Sequence, residues 1–276
     1  MKKSIVKSVL VLTATFALAT GKAGAQVFDL DPFIGPGNIE EQVQMLAEPI
    51  LGFFGSIGGA GFVNTARVHK LGGFDVGVRF PAAIVPDEFG NLIGDLPDPD
   101  VPLGPFDNED VLGYPFITAS LGLPGNLEVN ARCFHYPVGE RPLREEVTLI
   151  GGALKYGLVQ NPNRPNIVLL AGYQVLIVPE DFDFGDVSVL SLKGFISQDI
   201  SMLTFYLGYG YDRTDLTIQI APIESFLPDG FTAAFDGSST HTTLGATLNL
   251  SVFKINAEYN FGEFQNVTAG ATFSIR

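Results

Sequence analysis

Apolar and polar residues alternate along most of the chain, from about residue 62 to the end. In 266–276, for example, Val267, Phe273 and Ile275 share one face, and Thr, Gly, Ser and Arg residues occupy the other. A period of two is typical of a β-strand, because successive side chains point to opposite faces. The pattern therefore predicts an all-β protein.

About eleven stretches carry this alternation, and a run of ~9–11 residues suits a tilted transmembrane strand. Single-chain bacterial barrels have even strand numbers. We therefore expect about 12 strands, within a range of about 10–14, with one strand missed in 27–60 or 85–113. Alternatively, the N-terminal segment threads the lumen before the first strand. The stretches are roughly 61–69, 74–84, 114–123, 127–136, 147–158, 167–178, 187–197, 202–213, 240–250, 254–262 and 266–276.

Two architectures share this pattern. A soluble sandwich or barrel buries its apolar face, whereas a membrane barrel turns that face toward lipid. The second face here consists mainly of Gly, Thr, Ser and Asn with few charges, which suits a wet lumen better than a solvated surface. Long and short linkers also alternate, and the last strand carries an aromatic residue. We predict an antiparallel transmembrane β-barrel, with Tyr114, Phe116, Tyr211 and Phe261 among the aromatic residues suitably placed for interfacial girdles.

The first 25 residues have the three parts of a secretory signal peptide. Lys2, Lys3 and Lys7 precede an apolar stretch over 8–20, and small residues follow at 23–25. We expect cleavage near Ala25-Gln26 and localisation in the bacterial outer membrane. The expected partners are outer-membrane lipid and lipopolysaccharide, the barrel-assembly machinery and a small solute.

Composition excludes several other classes of protein. Hydrophobic residues make up 46% of the chain, which is too many for a disordered chain. The formal net charge is −14, and nucleic-acid binding needs a basic footprint. The single cysteine rules out an intramolecular disulfide. No G-x-S-x-G, H-E-x-x-H or Walker motif occurs, so we do not expect an enzyme.

The segment 26–59 differs from the rest because its apolar residues recur at helical spacing. Asn38 and Glu41 form a possible capping box, and a run of glycines from Gly55 ends the pattern. Such a helical segment would either plug the barrel or seal its base. We therefore divide the chain into a signal peptide (1–25), an N-terminal helical plug or seal (26–59) and an outer-membrane barrel (60–276).

Charged residues on the polar face would point into the lumen. Because both signs are present, they form either a pairing network that stabilises the lumen and holds the plug, or a path for a solute. The candidates are Arg67, His69, Asp75, Arg79, Glu128, Arg132, Lys155, Lys193, Asp212 and Glu258.

Clustered carboxylates in 85–113 offer a weak metal site. Asp95, Asp98 and Asp100 provide the hard oxygen ligands that Ca²⁺ prefers, although their spacing matches no recognised loop. The alternative is a solvated acidic loop. No other cofactor is expected.

The stretch Asn64–Asp75 (NTARVHKLGGFD) resembles a signature of uncharacterised bacteroidete-type outer-membrane β-barrel proteins, a domain of unknown function. Ile117–Arg132 and Leu170–Tyr173 are also similar to that family. The resemblance implies a barrel with an N-terminal helical segment, loosely similar to the fatty-acid transporter class, and supplies no catalytic residues. Physically, the motif is expected to form a strand, a tight turn at 70–73 and a returning strand.

The sequence is compatible with three functions. The first is passive or gated uptake of a small, apolar solute. The second is a structural or adhesive outer-membrane barrel that presents acidic surface loops without transport. The third is a secreted soluble β-barrel that binds a small molecule.

Overall fold

The described part of the computed structural model covers residues 47, 51–52, 54–84, 111–138, 145–161, 164–177, 184–220 and 231–275. Most of it is strand. The strands are β1 (Phe74–Ile84), β2 (Val111–Gly113), β3 (Phe116–Leu123), β4 (Leu127–Val138), β5 (Glu145–Val159), β6 (Asn166–Ile177), β7 (Phe184–Ile200), β8 (Leu203–Ile220), β9 (Phe231–Leu250), β10 (Phe253–Gly262) and β11 (Asn266–Ile275).

These strands close into an antiparallel barrel. Each strand from β3 to β11 pairs with its neighbour in sequence, and β1 pairs with both β3 and β11. β2 pairs with the far end of β1, at Ala82–Ile84, and is separated from β3 only by residues 114–115. β2 and β3 thus occupy one strand position, and the barrel has ten strands.

The expected count of about 12 strands was therefore too high. The stretch 61–69 is not a strand, although its residues partly alternate in polarity. It is an irregular extended chain whose backbone hydrogen bonds go to side chains of the surrounding wall. The turn predicted at 70–73 is present, with a bond of 2.9 Å from the Gly73 N–H to the Lys70 carbonyl. Gly72 adopts φ +79° there, a conformation that glycine adopts without steric cost.

The barrel is apolar outside and polar inside. Exposed side chains on its outer face include Ile150, Leu154, Phe205, Leu207 and Ile255. Thr, Ser, Asn and charged residues alternate with them and are buried. In water this would be a poor arrangement, since a contiguous apolar surface of this extent favours association. It is the arrangement of an outer-membrane-like β-barrel.

The two ends of the barrel differ. At one end, called the turn end, short connections at 124–126, 160–165, 201–202 and 251–252 join the strands, and β1 starts there. At the loop end, the connections 85–110, 139–144, 178–183 and 221–230 lie outside the described residues, and 263–265 is a short connection. β8 and β9 have 18 and 20 residues, against 10 in β10. Residues 231–240 of β9, which pair with β8, therefore extend past the end of β10 at the loop end, whereas β7 begins opposite Ile218, close to the end of β8.

Helical residues are described at 47, 51–52 and 54–59. The predicted capping residues Asn38 and Glu41 lie outside the described residues, as do the whole predicted signal peptide and most of the predicted plug. No helix in the described ranges is long and apolar enough to span a membrane.

The outward face can be tested at Leu154, which lies near the middle of β5 and is 48% exposed. We expect Leu154→Arg to lower the free energy of unfolding in lipid vesicles by about 2–4 kcal/mol, because a cation would enter the hydrocarbon layer. Urea-induced unfolding measures this change. Met202→Arg, at an exposed turn, is the control and should cost little. Equal, small effects at both positions would indicate a water-exposed wall.

Candidate functional site

The lumen is filled by residues 54–69, which we call the lumen segment. At the loop end, the Ser56 hydroxyl donates to the Phe264 carbonyl at 3.0 Å. At the turn end, Gly72 and Gly73 exchange backbone hydrogen bonds with Gly122 at 3.2 and 2.8 Å. The segment is helical as far as residue 59 and extended afterwards. It therefore crosses the barrel from the loop end to the turn end before the chain turns back into β1.

An apolar cluster surrounds the middle of the lumen segment. Phe62 lies against Gly172, where a Cβ atom would approach the ring to 3.0 Å. The wall thus leaves room for the ring by omitting a side chain, as small barrels do when they alternate small and large inward residues. The cluster consists of Phe62, Val63 and Ala66 from the segment and Ala153, Val168, Leu170, Phe195 and Tyr206 from the wall.

Cationic side chains of the wall donate to backbone carbonyls of the lumen segment. These carbonyls have no strand partner, and burying them unpaired would be costly. Arg132 makes two further contacts, because its guanidinium also binds Gln174 and lies 3.5 Å from the centre of the Phe62 ring. Arg132 donates to the Gly58 carbonyl and, at 2.7 Å, to the Ala60 carbonyl. Lys193 donates to the Gly59 carbonyl at 2.6 Å, Arg79 to the Val63 carbonyl at 3.1 Å and Lys155 to the Arg67 carbonyl at 2.9 Å.

Acceptors on the wall bind N–H groups of the same segment. The Glu258 carboxylate accepts from the Gly61 N–H at 2.7 Å, and the Glu128 carboxylate accepts from the His69 N–H at 2.9 Å. Uncharged side chains of the wall also bind the backbone of the lumen segment. Ser197 Oγ accepts from the Ala66 N–H, and Thr247 donates to the Asn64 carbonyl. Gln160 accepts from the Val68 N–H and donates to the Ala66 carbonyl.

Buried ion pairs balance the buried lysines, whereas Arg79, Arg132 and Glu258 have no salt-bridge partner among the described residues. Burial of an isolated charge is expensive, so a buried ion needs a close partner and further hydrogen bonds. Asp212 shows the pattern, since it also accepts from Ser191 at 2.5 Å. The ion pairs are Lys155–Glu128 at 3.1 Å, Lys254–Asp75 at 3.0 Å and Lys193–Asp212 at 3.4 Å. The same two aspartates also contact imidazole nitrogens, Asp75 that of His69 at 3.1 Å and Asp212 that of His241 at 3.0 Å.

The charged residues singled out from the sequence lie in two settings. Arg67 lies near the turn end, is partly exposed and pairs with Asp199 at 2.5 Å. The other nine are buried within the barrel: His69, Asp75, Arg79, Glu128, Arg132, Lys155, Lys193, Asp212 and Glu258. The structure thus places eight of these nine around the lumen segment, to which His69 itself belongs.

Sequence reasoning missed several members of this network. Lys254 has the same strand parity as Asn256 and Glu258, so the alternation could have identified it. His241 has the same strand parity as the buried Thr243 and Thr247 of β9 and could have been identified in the same way. Gln160 and Ser197 carried no signal, because their partners are backbone atoms of a distant segment.

Two further expectations concern other parts of the chain. Phe116, expected in an aromatic girdle, is fully buried inside the barrel, 4.8 Å from Arg132, whereas Tyr211 and Phe261 face outward.

Asp95, Asp98 and Asp100, the expected metal ligands, lie outside the described residues. Within the described ranges, no group of three His, Cys, Asp or Glu side chains could hold a metal ion.

A closed barrel with an apolar exterior and a lumen occupied by its own N-terminal chain defines a plugged, outer-membrane-like β-barrel. The chain belongs to a family of unknown function (DUF6588), whose model matches residues 1–93 and 95–275. No curated protein matches the sequence.

Three solved structures show weak similarity. The N-terminal β-barrel domain of Pseudomonas aeruginosa OprF is 15% identical, with 54% of this chain and 98% of that chain covered and a TM-score of 0.32. Ail, the attachment invasion locus protein of Yersinia pestis, is 11% identical, with 74% and 99% covered and a TM-score of 0.24. A Rhodopseudomonas blastica porin triple mutant is 9% identical, with 73% and 99% covered and a TM-score of 0.20. The fold assignment therefore rests on the strand pairing described above.

Gly59 tests how tightly the lumen segment fits. A Cβ atom there would lie 2.3 Å from a carboxylate oxygen of Asp212, which Lys193 and His241 hold in place. We expect Gly59→Ala to destabilise the plugged barrel by about 1–3 kcal/mol and to increase tryptic cleavage after Arg67. Gly152→Ala on β5 is the control, because a Cβ there meets only ordinary contacts. Identical melting and cleavage for both variants would contradict this packing.

The Lys193–Asp212 pair makes a second prediction. We expect Lys193→Met to cost about 3–5 kcal/mol, since it leaves a buried carboxylate without its cation. Asp212→Asn in the same molecule should recover much of that loss, which chemical unfolding of the two single variants and the double variant would measure. If the double variant lost as much free energy of unfolding as the two single variants together, the two side chains would not interact.

Proposed function

We propose that this protein is a plugged barrel of the bacterial outer membrane that admits a small polar solute when the lumen segment moves. The proposal rests on the contacts that hold the lumen segment inside the barrel. The segment that fills it belongs to the same chain and is held mainly through hydrogen bonds between its backbone and polar side chains of the wall.

A polar wall supports a path that can be opened. If the lumen segment left, water could hydrate the exposed Arg, Lys, Glu and Ser side chains, whereas an apolar lumen would stay dry. Inward glycines such as Gly172, Gly208 and Gly245 also keep the wall thin beside large neighbours. Over residues 60–69, the vacated space would be that of one extended peptide, about 5 by 10 Å in cross-section, and the helical part of the segment would leave a wider space.

The wall also bears on the chemistry of the solute. Apolar side chains in the lumen form the cluster around Phe62 and a second inward set toward the loop end that includes Leu149, Val187, Leu216 and Ile218. The other inward residues of the described strands are mostly polar or charged. A solute would have to pass this polar stretch, which suits a small polar solute better than the apolar solute expected from the sequence. Mixed charges favour neither sign of ion strongly.

The membrane assignment belongs to the same proposal. The outward face would contact outer-membrane lipid and, on the outer leaflet, lipopolysaccharide, and the barrel-assembly machinery would insert the chain. The turn end would face the periplasm, because short turns lie on that side in bacterial barrels. The loop end and its long β8–β9 hairpin would face outward.

Single-channel conductance in planar bilayers tests the plug. The chain without residues 26–68 should give discrete, salt-dependent steps, because its lumen would fill with water, whereas the full mature chain should be mostly silent. In a Cys133→Ser background, a disulfide between Ala66→Cys and Ser197→Cys should abolish any remaining openings, and reduction should restore them. The Ala66 N–H lies 2.9 Å from Ser197 Oγ, so these positions are adjacent.

A truncated barrel that folds and stays silent would contradict the proposed path. It would favour the second candidate, a structural or adhesive barrel that presents its outer loops. The extension of β8 and β9 beyond β10 favours that role. Shortening this hairpin should then abolish surface binding without changing conductance.

A further inference from the structure

Most polar contacts between the wall and residues 58–69 of the lumen segment are made with the backbone of the segment. The wall supplies donors for its carbonyls and acceptors for its N–H groups along nearly the whole stretch. Every peptide carries these groups, so such contacts do not depend on side-chain identity. The residues whose backbone binds a wall side chain are Gly58, Gly59, Ala60, Gly61, Val63, Asn64, Ala66, Arg67, Val68 and His69.

Polar side chains of the same stretch contribute less. Their contacts with the wall and with β1 lie toward the turn end, and the first two are long for hydrogen bonds. They are Asn64–Asp75 at 3.3 Å, Thr65–Ser197 at 3.4 Å, Arg67–Asp199 at 2.5 Å and His69–Asp75 at 3.1 Å. The wall therefore holds this stretch chiefly as an extended backbone.

Two features of the wall do depend on side chains. A Cβ atom would lie 2.0 Å from Gln174 at Gly58 and 2.3 Å from Asp212 at Gly59, so only a residue without a side chain fits there. Phe62, by contrast, has a pocket, in which its ring lies on the Arg132 guanidinium and within an apolar cluster. The wall thus suits a peptide in which small residues precede an aromatic residue.

We propose that the solute of this barrel is a short extended peptide of that kind, and that the lumen segment occupies the solute's site as a tethered internal peptide. The inference rests on the proposed function, because a free peptide can enter only when the segment moves. The donors and acceptors of the wall follow the carbonyl and N–H groups of a peptide. A sugar or an ion presents no such series of groups at the spacing of a peptide chain.

The full mature chain in detergent and a synthetic peptide with the sequence of residues 58–69 test the proposal. A diazirine analogue of leucine replaces Val63 of the peptide, because Val63 lies in the apolar cluster. The tethered segment has an effective concentration of about millimolar, so the peptide is supplied at several times that concentration. Irradiation should cross-link the peptide to inward residues of β5–β8, which mass spectrometry identifies.

The Gly59→Ala chain holds its own segment less tightly, so it should give about tenfold more cross-linked product at equal peptide concentration. The absence of cross-links at these strands in both chains would overturn the proposal.

Two altered peptides test whether the backbone is recognised. N-methylation at Gly61, Ala66 and His69 removes three N–H groups that bind the wall, and it should reduce cross-linking at least about tenfold. Replacing Asn64 and Thr65 of the peptide by alanine changes side chains alone, and cross-linking should stay within about threefold of the original. The reverse order of effects would show that the wall recognises side chains, and it would overturn the proposal.

A disulfide between Ala66→Cys and Ser197→Cys, in the Cys133→Ser background, separates the lumen from the outer surface. Cross-links should vanish in the oxidised chain and return on reduction. Cross-links that persist in the oxidised chain would place the peptide elsewhere and overturn the proposal.

Conductance separates this proposal from the proposed function. Channel steps without residues 26–68, together with no peptide binding to the full chain, would overturn the peptide alone. A truncated barrel that folds and stays silent would overturn the open path, while the cross-links would still show the peptide site.

Discussion

An extended peptide that crosses a closed barrel has no strand on either side of it, so side chains of the wall must satisfy its backbone. This constraint explains why the inside of the barrel is so rich in charged and amide groups. Arg79, Arg132 and Lys193 donate to carbonyls of the lumen segment, and Glu128 and Glu258 accept from its N–H groups. A barrel filled only by its own wall would not need this set of donors and acceptors.

The rest of the interior follows from the same requirement. The ions that bind the segment are buried and need partners of their own, which Glu128 provides for Lys155 and Asp212 for Lys193. Room for a peptide and for large side chains comes from inward glycines on neighbouring strands, as at Gly172 beside Phe62. Charge balance and space are thus set by the plug, and wall and plug form one packed unit. Movement of the segment would have to exchange these bonds for water, which makes the closed state the resting state of the proposed transporter.

The strands and the face that each residue presents were predictable, because a period of two is a local signal. The segment 61–69 was mistaken for a strand, since a peptide buried in a lumen also has both apolar and polar contacts. Eleven alternating stretches conflicted with the even strand number of such barrels, which allowed two explanations. The missed strand was wrong, whereas the N-terminal segment does thread the lumen before β1. Phe116 was assigned to the outside because aromatic residues near strand ends often form girdles, and its position beside Arg132 depends on the fold. Contacts across the lumen, such as Ala66 with Ser197, depend on the barrel's register and have no local signal.

The central claim is that the backbone of the lumen segment is hydrogen-bonded to the wall in the membrane-embedded protein. Amide hydrogen exchange in lipid vesicles tests it most directly. The account predicts that the amides of Gly61, Ala66 and His69 exchange more than about a hundredfold more slowly than in an unfolded chain, while Gly125 and Asn126 at an exposed turn exchange rapidly. Rapid exchange at all three lumen positions in an intact barrel would show that the segment does not occupy the lumen as described.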